Sequence, residues 1–306
     1  MMIKTLPEPH LNTTSATLVI AASAVCFGLM PLFVRELQGL GTGPATIALY
    51  RYGFSALFLL PFLPLQREKW GGALLLMGAG CVFSLSLIGY LEALGSAPVA
   101  AAGVVYMSYP VFAALFAWVL LRQALSWRSF AAAGLVIAAA GMLLDPAMLS
   151  PEVFKALVWA IPAPVAFGFL VVVLSGLAGQ LNSLERTASG LTGSIIGLLP
   201  LALQEGQGSV LPASAGAWGL VLVMGLLTAL IPQLIFTFAC QRVGPVRTAA
   251  AGSFELPTMF LVGWWGFGEA LGIREILSAL LVLTAILVAP AIGAKPQEPG
   301  RAAPAG

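Results

Sequence analysis

Pro98-Val99-Ala100-Ala101-Ala102, with Pro110 and Trp118 further on, and Pro245-Val246-Arg247-Thr248-Ala249, with Pro257 and Trp265 further on, align without a gap at an offset of 147 residues. Each stretch opens an apolar run with Pro-Val, places a proline twelve residues later and a tryptophan eight beyond that. So many matches in one register point to an internal repeat rather than to coincidence. The chain around them has 306 residues, 59% of them hydrophobic and only 8% charged, with a mean hydropathy of +0.99. Soluble domains carry roughly 25% charged residues. This chain lacks the charge to cover a water-facing surface, which excludes soluble enzymes, nucleic-acid binders and disordered proteins. What remains is an all-α polytopic membrane protein embedded in the lipid bilayer. Its 34 glycines and 21 prolines fit, since both are commoner in transmembrane helices than in soluble ones.

A helix needs about 20 apolar residues to cross the hydrocarbon. Ten runs qualify: 17–34, 46–65, 71–93, 99–121, 129–144, 154–177, 187–203, 217–241, 246–266 and 273–292. They are separated by short breaks such as Gly39-Leu40-Gly41-Thr42-Gly43-Pro44, Gln66-Arg67-Glu68-Lys69, Gly95-Ser96-Ala97-Pro98 and Gly206-Gln207-Gly208. The aligned stretches open the fourth and the ninth run, so the repeated unit is five helices. Residues 1–147 form the N-terminal repeat with helices one to five. Residues 148–294 form the C-terminal repeat with helices six to ten, and 295–306 read as a disordered cytoplasmic tail. Five is odd, so the halves insert with opposite orientation. The result is a 5+5 inverted-topology repeat, an architecture of secondary transporters that place their substrate site where the halves meet.

Basic residues set the orientation. With both termini cytoplasmic, Lys4, Arg67, Lys69, Arg122, Arg128, Arg186, Arg242, Arg247, Lys295 and Arg301 fall inside, and only Arg35, Lys155 and Arg274 fall outside. Trp70 and Trp127 stand beside inner basic loops, where an indole anchors at the headgroups. The first run resembles a signal peptide, but it is long, lacks a convincing small-residue cleavage site and is followed by nine more runs, so it is kept as a span.

The scarce residues argue against catalysis. The chain has one histidine, His10, and one aspartate, Asp145, and Cys26, Cys81 and Cys240 lie far apart in apolar runs. A metal site needs clustered His, Cys or carboxylate ligands, and none can be assembled. A Ser-His triad lacks its histidine, an aspartyl dyad its second aspartate, and no Gly-rich loop ends in Gly-Lys-Ser/Thr. The chain is read as a non-enzyme without cofactor or metal.

The five-plus-five layout, the Ala-rich turns after Pro98 and Pro245 and the prolines that follow resemble the EamA-type transporters of the drug/metabolite transporter superfamily. Gly268-Glu269-Ala270-Leu271 is also similar to that family's pattern at the end of its ninth helix. In the first half, within Leu121-Arg122-Gln123-Ala124-Leu125, the matching position is Arg122, where the family has glutamate. Within the family the pattern is most similar to YddG-type exporters of aromatic and other neutral amino acids. The resemblance implies a ten-helix carrier of small molecules.

Several residues inside the spans are candidates for transport chemistry. Pro110 and Pro257 lie near the centres of their spans, where each removes a backbone hydrogen bond. They read as repeat-related kinks that line and gate the cavity, or as static bends. Tyr106 and Tyr109 lie roughly 10–15 Å deep at 1.5 Å per residue, on about one helix face with Met107 adjacent. Their hydroxyls need partners there, which suits either a substrate wall or inter-helix packing. Tyr50, Tyr52 and Tyr90 fall in the outer third, which fits an aromatic belt. Arg51 and Glu92, near the outer ends of their spans, either pair or reach the surface. Glu255, at the centre of the ninth span beside Phe254, is too deep to reach water unless the cavity is wet. It either meets a substrate ammonium or a proton, or is locked to Arg51 or to backbone freed by Pro257. The substrate-binding candidates are thus Tyr50, Tyr90, Tyr106, Met107, Tyr109, Phe254 and Glu255. Gly193-Ser194-Ile195-Ile196-Gly197 reads as a helix-packing stripe.

These readings converge on an inner (plasma) membrane secondary transporter working by alternating access. Its cargo would be aromatic and other neutral amino acids or similar small metabolites, moved outward. A broad amphipathic-drug or purine exporter on the same fold is the alternative, and a passive channel or non-transporting scaffold a further one. A dianionic sugar phosphate should meet several intramembrane cations, and only Arg51 is available.

Overall fold

The computed structural model describes residues 12–123, 126–142, 150–205, 212 and 214–289, and every regular element among them is helical. His10, Asp145, the Gly206–Gly208 break and the 295–306 tail lie outside the described residues. Seven helical stretches are long and apolar enough to cross a membrane: Thr13–Gly39, Pro44–Phe62, Arg67–Ser96, Val99–Leu121, Pro151–Leu177, Ser183–Gln204 and Ala215–Val243. The protein is a multi-pass membrane protein. At the expected fifth, ninth and tenth spans stand Trp127–Gly141, the pair Pro245–Gly252 and Glu255–Phe267, and Ile273–Val288. The first and last are short, and the middle one is interrupted and carries Arg247 and Glu255.

Prolines decide where the long stretches break. In chain order the helices are α1 (Thr13–Gly28), α2 (Met30–Gly39), α3 (Pro44–Leu59), α4 (Trp70–Ser96), α5 (Val99–Tyr106), α6 (Tyr109–Leu121), α7 (Trp127–Gly141) and α8 (Pro151–Trp159). After them come α9 (Pro162–Val172), α10 (Ser183–Gln204), α11 (Ala215–Gly225), α12 (Ile231–Val243), α13 (Pro245–Gly252), α14 (Glu255–Phe267) and α15 (Ile273–Val288). Pro31, Pro110, Pro162 and Pro232 each occupy the first two positions of a helix, where a missing N–H costs nothing. Pro110 and Pro257 therefore do not bend continuous helices, as their central positions suggested. The helix stops at Met107-Ser108 and at Ser253-Phe254, and each proline falls in the first turn of the helix that follows. Hydropathy does not register a missing donor, so each pair reads as one run in the sequence.

The two broken helices mirror one another. α5 and α13 have eight residues each, α6 and α14 thirteen each, and every boundary in the second pair lies 146 residues after its counterpart. α5 packs on α14 and α6 on α13, so the two run antiparallel. Arg122 and Gly268 end them alike in the left-handed region, at φ 52° and 66°. The next N–H bonds back alike, Gln123 to the Ala117 carbonyl at 3.3 Å and Glu269 to the Gly263 carbonyl at 3.0 Å. This backbone register is one residue shorter than the proline–tryptophan alignment. It corrects the match of Arg122 to the family's glutamate: Arg122 corresponds to Gly268, and Gln123 to Glu269.

The tightest packing joins α4 to α10 through glycines. A Cβ at Gly80 would meet the Gly190 carbonyl, and one at Gly193 the Met77 backbone, while Ser194 donates to the Gly80 carbonyl at 3.1 Å. Small residues let helix backbones approach in a membrane, where apolar burial supplies little drive. Gly193→Leu is expected to force α4 and α10 apart and destabilise the fold by about 3 kcal/mol or more. The check is a drop in detergent melting temperature and in monodisperse yield; wild-type values would show that the contact is not needed.

Candidate functional site

One cavity lies where α1, α2, α3, α4, α5, α9, α12 and the start of α14 converge. Arg51, Tyr52 and Glu255 face it, together with Tyr90, Tyr106 and Phe167. Phe27, Met30, Phe83, Leu87 and Gln233 complete the lining. Its aromatic side is a continuous stack. The Tyr90 and Tyr106 rings are 4.7 Å apart at 25°, and Tyr106 and Phe167 are 5.6 Å apart at 25°. Phe167 also meets Phe83 at 5.1 Å and Tyr109 edge-on at 4.8 Å. Phe167 can occupy this centre because Pro162 and Pro164 start α9 just before it, and because Gly168 lets the α6 backbone come close.

Arg51 is held by a backbone fault. Pro232 has no N–H for the Thr228 carbonyl four residues earlier, and the chain there forms a π turn over Leu226–Leu230. The freed Thr228 carbonyl accepts from Arg51 Nη2 at 2.8 Å and Nε at 3.2 Å, and the Thr228 hydroxyl accepts from Nε at 3.2 Å. Arg51 Nη1 donates to the Tyr52 hydroxyl at 2.9 Å. Arg51 is thus buried and turned inward. Glu92 is exposed and does not pair with Arg51, so of the two alternatives it takes the surface while Arg51 takes neither.

Glu255 is the first residue of α14, where the helix dipole favours a carboxylate. It is 6% exposed, and that remnant opens into the cavity. Its carboxylate has no hydrogen-bond or ion-pair partner among the described residues, Arg51 included, although both face the same space. Glu255 therefore lines the cavity without a bond to Arg51 or to the backbone beside Pro257 among the described residues.

The other candidates divide. Tyr90 and Tyr106 line the cavity. Tyr109 is fully buried beside it, with its hydroxyl donating to the Ala249 carbonyl at 2.8 Å across to α13, as a packing residue does. Met107 is buried and Phe254 half-buried, and neither lines the cavity. Tyr50 is corrected to the periphery, where it packs on Trp218 and Phe54. Pro110 and Pro257 shape the cavity by starting helices rather than by lining it. Tyr52, Gln233, Phe27, Met30, Phe83, Leu87 and Phe167 are the lining residues that sequence reasoning missed. Gln233 carried a usable signal, since an amide after a mid-span proline needs a polar reason to be there. Tyr52 was hidden by its neighbour in the belt, Tyr50.

The two ends of the bundle differ. A second cavity shares Tyr52, Phe83 and Gln233 with the first and continues to Thr187 and Arg186 at the start of α10. Nearby, Lys69 pairs with Glu185 at 2.7 Å, and Arg186 donates to the Leu174, Gly179 and Leu181 carbonyls. At the opposite end two carboxylates cap helices in trans. Glu205 accepts from the N–H groups of Ala45 at 2.7 Å and Thr46 at 2.9 Å. Glu269 accepts from the Val99 N–H at 2.9 Å and pairs with Arg35 at 3.1 Å. Among the described residues, no group of three His, Cys, Asp or Glu side chains could hold a metal ion.

The cavity is bordered by broken helices, with Lys69 and Arg186 toward one end of the bundle and the Glu205 and Glu269 caps at the other. The EamA-like transporter family model matches the chain twice, over residues 14–144 and 154–289, and the chain belongs to that family. It is 26% identical to a riboflavin transporter of Rhizobium johnstonii, over 92% of each chain. It is 25% identical to an uncharacterized transporter of Archaeoglobus fulgidus, over 88% of this chain and 94% of the other. It is 24% identical to the pseudopaline exporter CntI of Pseudomonas aeruginosa, over 90% and 93%. A crystal structure at 18% identity superposes with a TM-score of 0.69 over 90% of this chain and 97% of the other, which establishes the fold alone.

Proposed function

We propose that the chain is a secondary transporter that works by alternating access and exports aromatic and other neutral amino acids or similar small metabolites. The observation that carries the reading is one cavity lined both by a stacked ring wall and by Arg51 and Glu255. A ring gains contact area on the wall, and the charged groups hold a polar end that would otherwise be stranded in a low-dielectric space. The alternative is a broad amphipathic-drug or purine exporter on the same fold, and the relative named a riboflavin transporter, whose named cargo is a heterocycle, supports it. The relative named an exporter supports outward movement. Saturable accumulation of labelled phenylalanine in everted vesicles, above vesicles lacking the protein, tests the reading; no difference would overturn it.

The architecture proposed with it is ten transmembrane helices in a 5+5 inverted repeat, residues 1–147 against 148–294. It lies in the inner (plasma) membrane with both termini cytoplasmic. Support comes from the double family match and from the two broken helices of equal length that pack antiparallel. In this orientation the end with Arg186 and Lys69 is cytoplasmic, and the Glu205 and Glu269 clamps close the outer side. A cysteine at Ser96 is expected to react with an impermeant reagent from outside, and one at Gly71 only after permeabilisation. Labelling of Gly71→Cys in intact cells would overturn the orientation.

A further inference from the structure

Arg51 and Glu255, a base and an acid, are each 6% exposed and face one cavity without forming an ion pair. Arg51 is held back from Glu255 by bonds to Thr228 and Tyr52 that engage Nε–H and one hydrogen of each terminal nitrogen. A guanidinium has five N–H donors. The second hydrogen on Nη1 and on Nη2 is thus left without a partner among the described residues, as is the Glu255 carboxylate. An enclosed apolar site tolerates such charges only when each is matched.

We infer that the cavity recognises its substrate at two charged points, Arg51 taking a carboxylate and Glu255 an ammonium, so that only zwitterions are matched. This rests on the transport reading above and narrows it. Charge balance is the reason. An amine alone would leave Arg51 unmatched and the occupied site positive. A carboxylate alone would leave Glu255 without a partner. A zwitterion satisfies both and leaves the site neutral. The Tyr90–Tyr106–Phe167 stack then receives the side chain, with Tyr52 fixing the guanidinium through its hydroxyl. Arg51 is thereby assigned to the substrate carboxylate, which distinguishes this site from one built for cationic drugs.

The test is competition against labelled phenylalanine uptake in proteoliposomes, using phenethylamine, 3-phenylpropionate and unlabelled phenylalanine. The two singly charged analogues are expected to compete at least about tenfold more weakly than phenylalanine. In purified Glu255→Gln protein, 3-phenylpropionate is expected to raise the melting temperature more than phenethylamine does. Equal competition by either analogue with phenylalanine in the wild type would overturn two-point recognition while leaving transport intact. An equal or larger shift with phenethylamine in Glu255→Gln would overturn the part given to Glu255. Absence of saturable phenylalanine uptake would overturn both this inference and the transport reading.

Discussion

Glu255→Gln is expected to yield a folded protein whose transport falls at least tenfold, equivalent to about 1.4 kcal/mol or more of lost stabilisation. The amide keeps the volume and the position at the first residue of α14, so packing against α1 survives. What disappears is the acid that faces the cavity together with Arg51. Because the carboxylate is the titratable acid lining this cavity, the variant should also respond less to pH than the wild type does. Transport by proteoliposomes across a pH series, with melting temperature as the folding control, reads both effects. Full activity with the wild-type pH profile would show that Glu255 neither holds an amine nor exchanges a proton.

Tyr106→Ala is expected to discriminate between substrates rather than weaken all of them. The Tyr106 ring is the middle of the wall, stacked on Tyr90 on one side and Phe167 on the other. Ring pairs contribute about 0.5–1.5 kcal/mol beyond their buried area, and the truncation also removes the surface a substrate ring would cover. Apparent affinity for a ring-bearing amino acid should therefore fall about tenfold, against about twofold for alanine or serine. Tyr106→Phe keeps the stack and should stay close to wild type. Tyr109→Phe is the contrast: it loses the bond to the Ala249 carbonyl and should lower stability by about 1 kcal/mol while leaving the substrate ranking unchanged. Equal losses for all substrates in Tyr106→Ala would make the ring a packing residue.

Composition and the Pro-Val stretches were enough for an all-helical membrane chain, because bilayer crossing is a question of length and hydropathy alone. They also pointed to the two helices that break. The manner of the break was not legible, since a proline reads the same whether it bends a helix or begins one. The offset of 147 misled by one residue, because proline and tryptophan positions are side-chain facts and the helix ends are set by Arg122 and Gly268. The site was legible where one deep charged or aromatic residue stood out, as Glu255 and Tyr106 did. It was not legible where position depends on which face a helix turns inward. Tyr50 and Tyr52 are two residues apart, yet one packs on Trp218 at the periphery and the other lines the cavity. Arg51 looked free to reach the surface because nothing in its own neighbourhood shows that Pro232, far along the chain, frees the carbonyl that holds it.

The most direct test of the central claim is counterflow. Purified protein is reconstituted in liposomes loaded with unlabelled phenylalanine and diluted into a trace of labelled phenylalanine. A carrier that alternates access around the Arg51–Glu255 cavity should accumulate label transiently above the outside concentration, and Glu255→Gln should not. Equilibration without overshoot in the wild type, or the same overshoot in Glu255→Gln, would contradict the account.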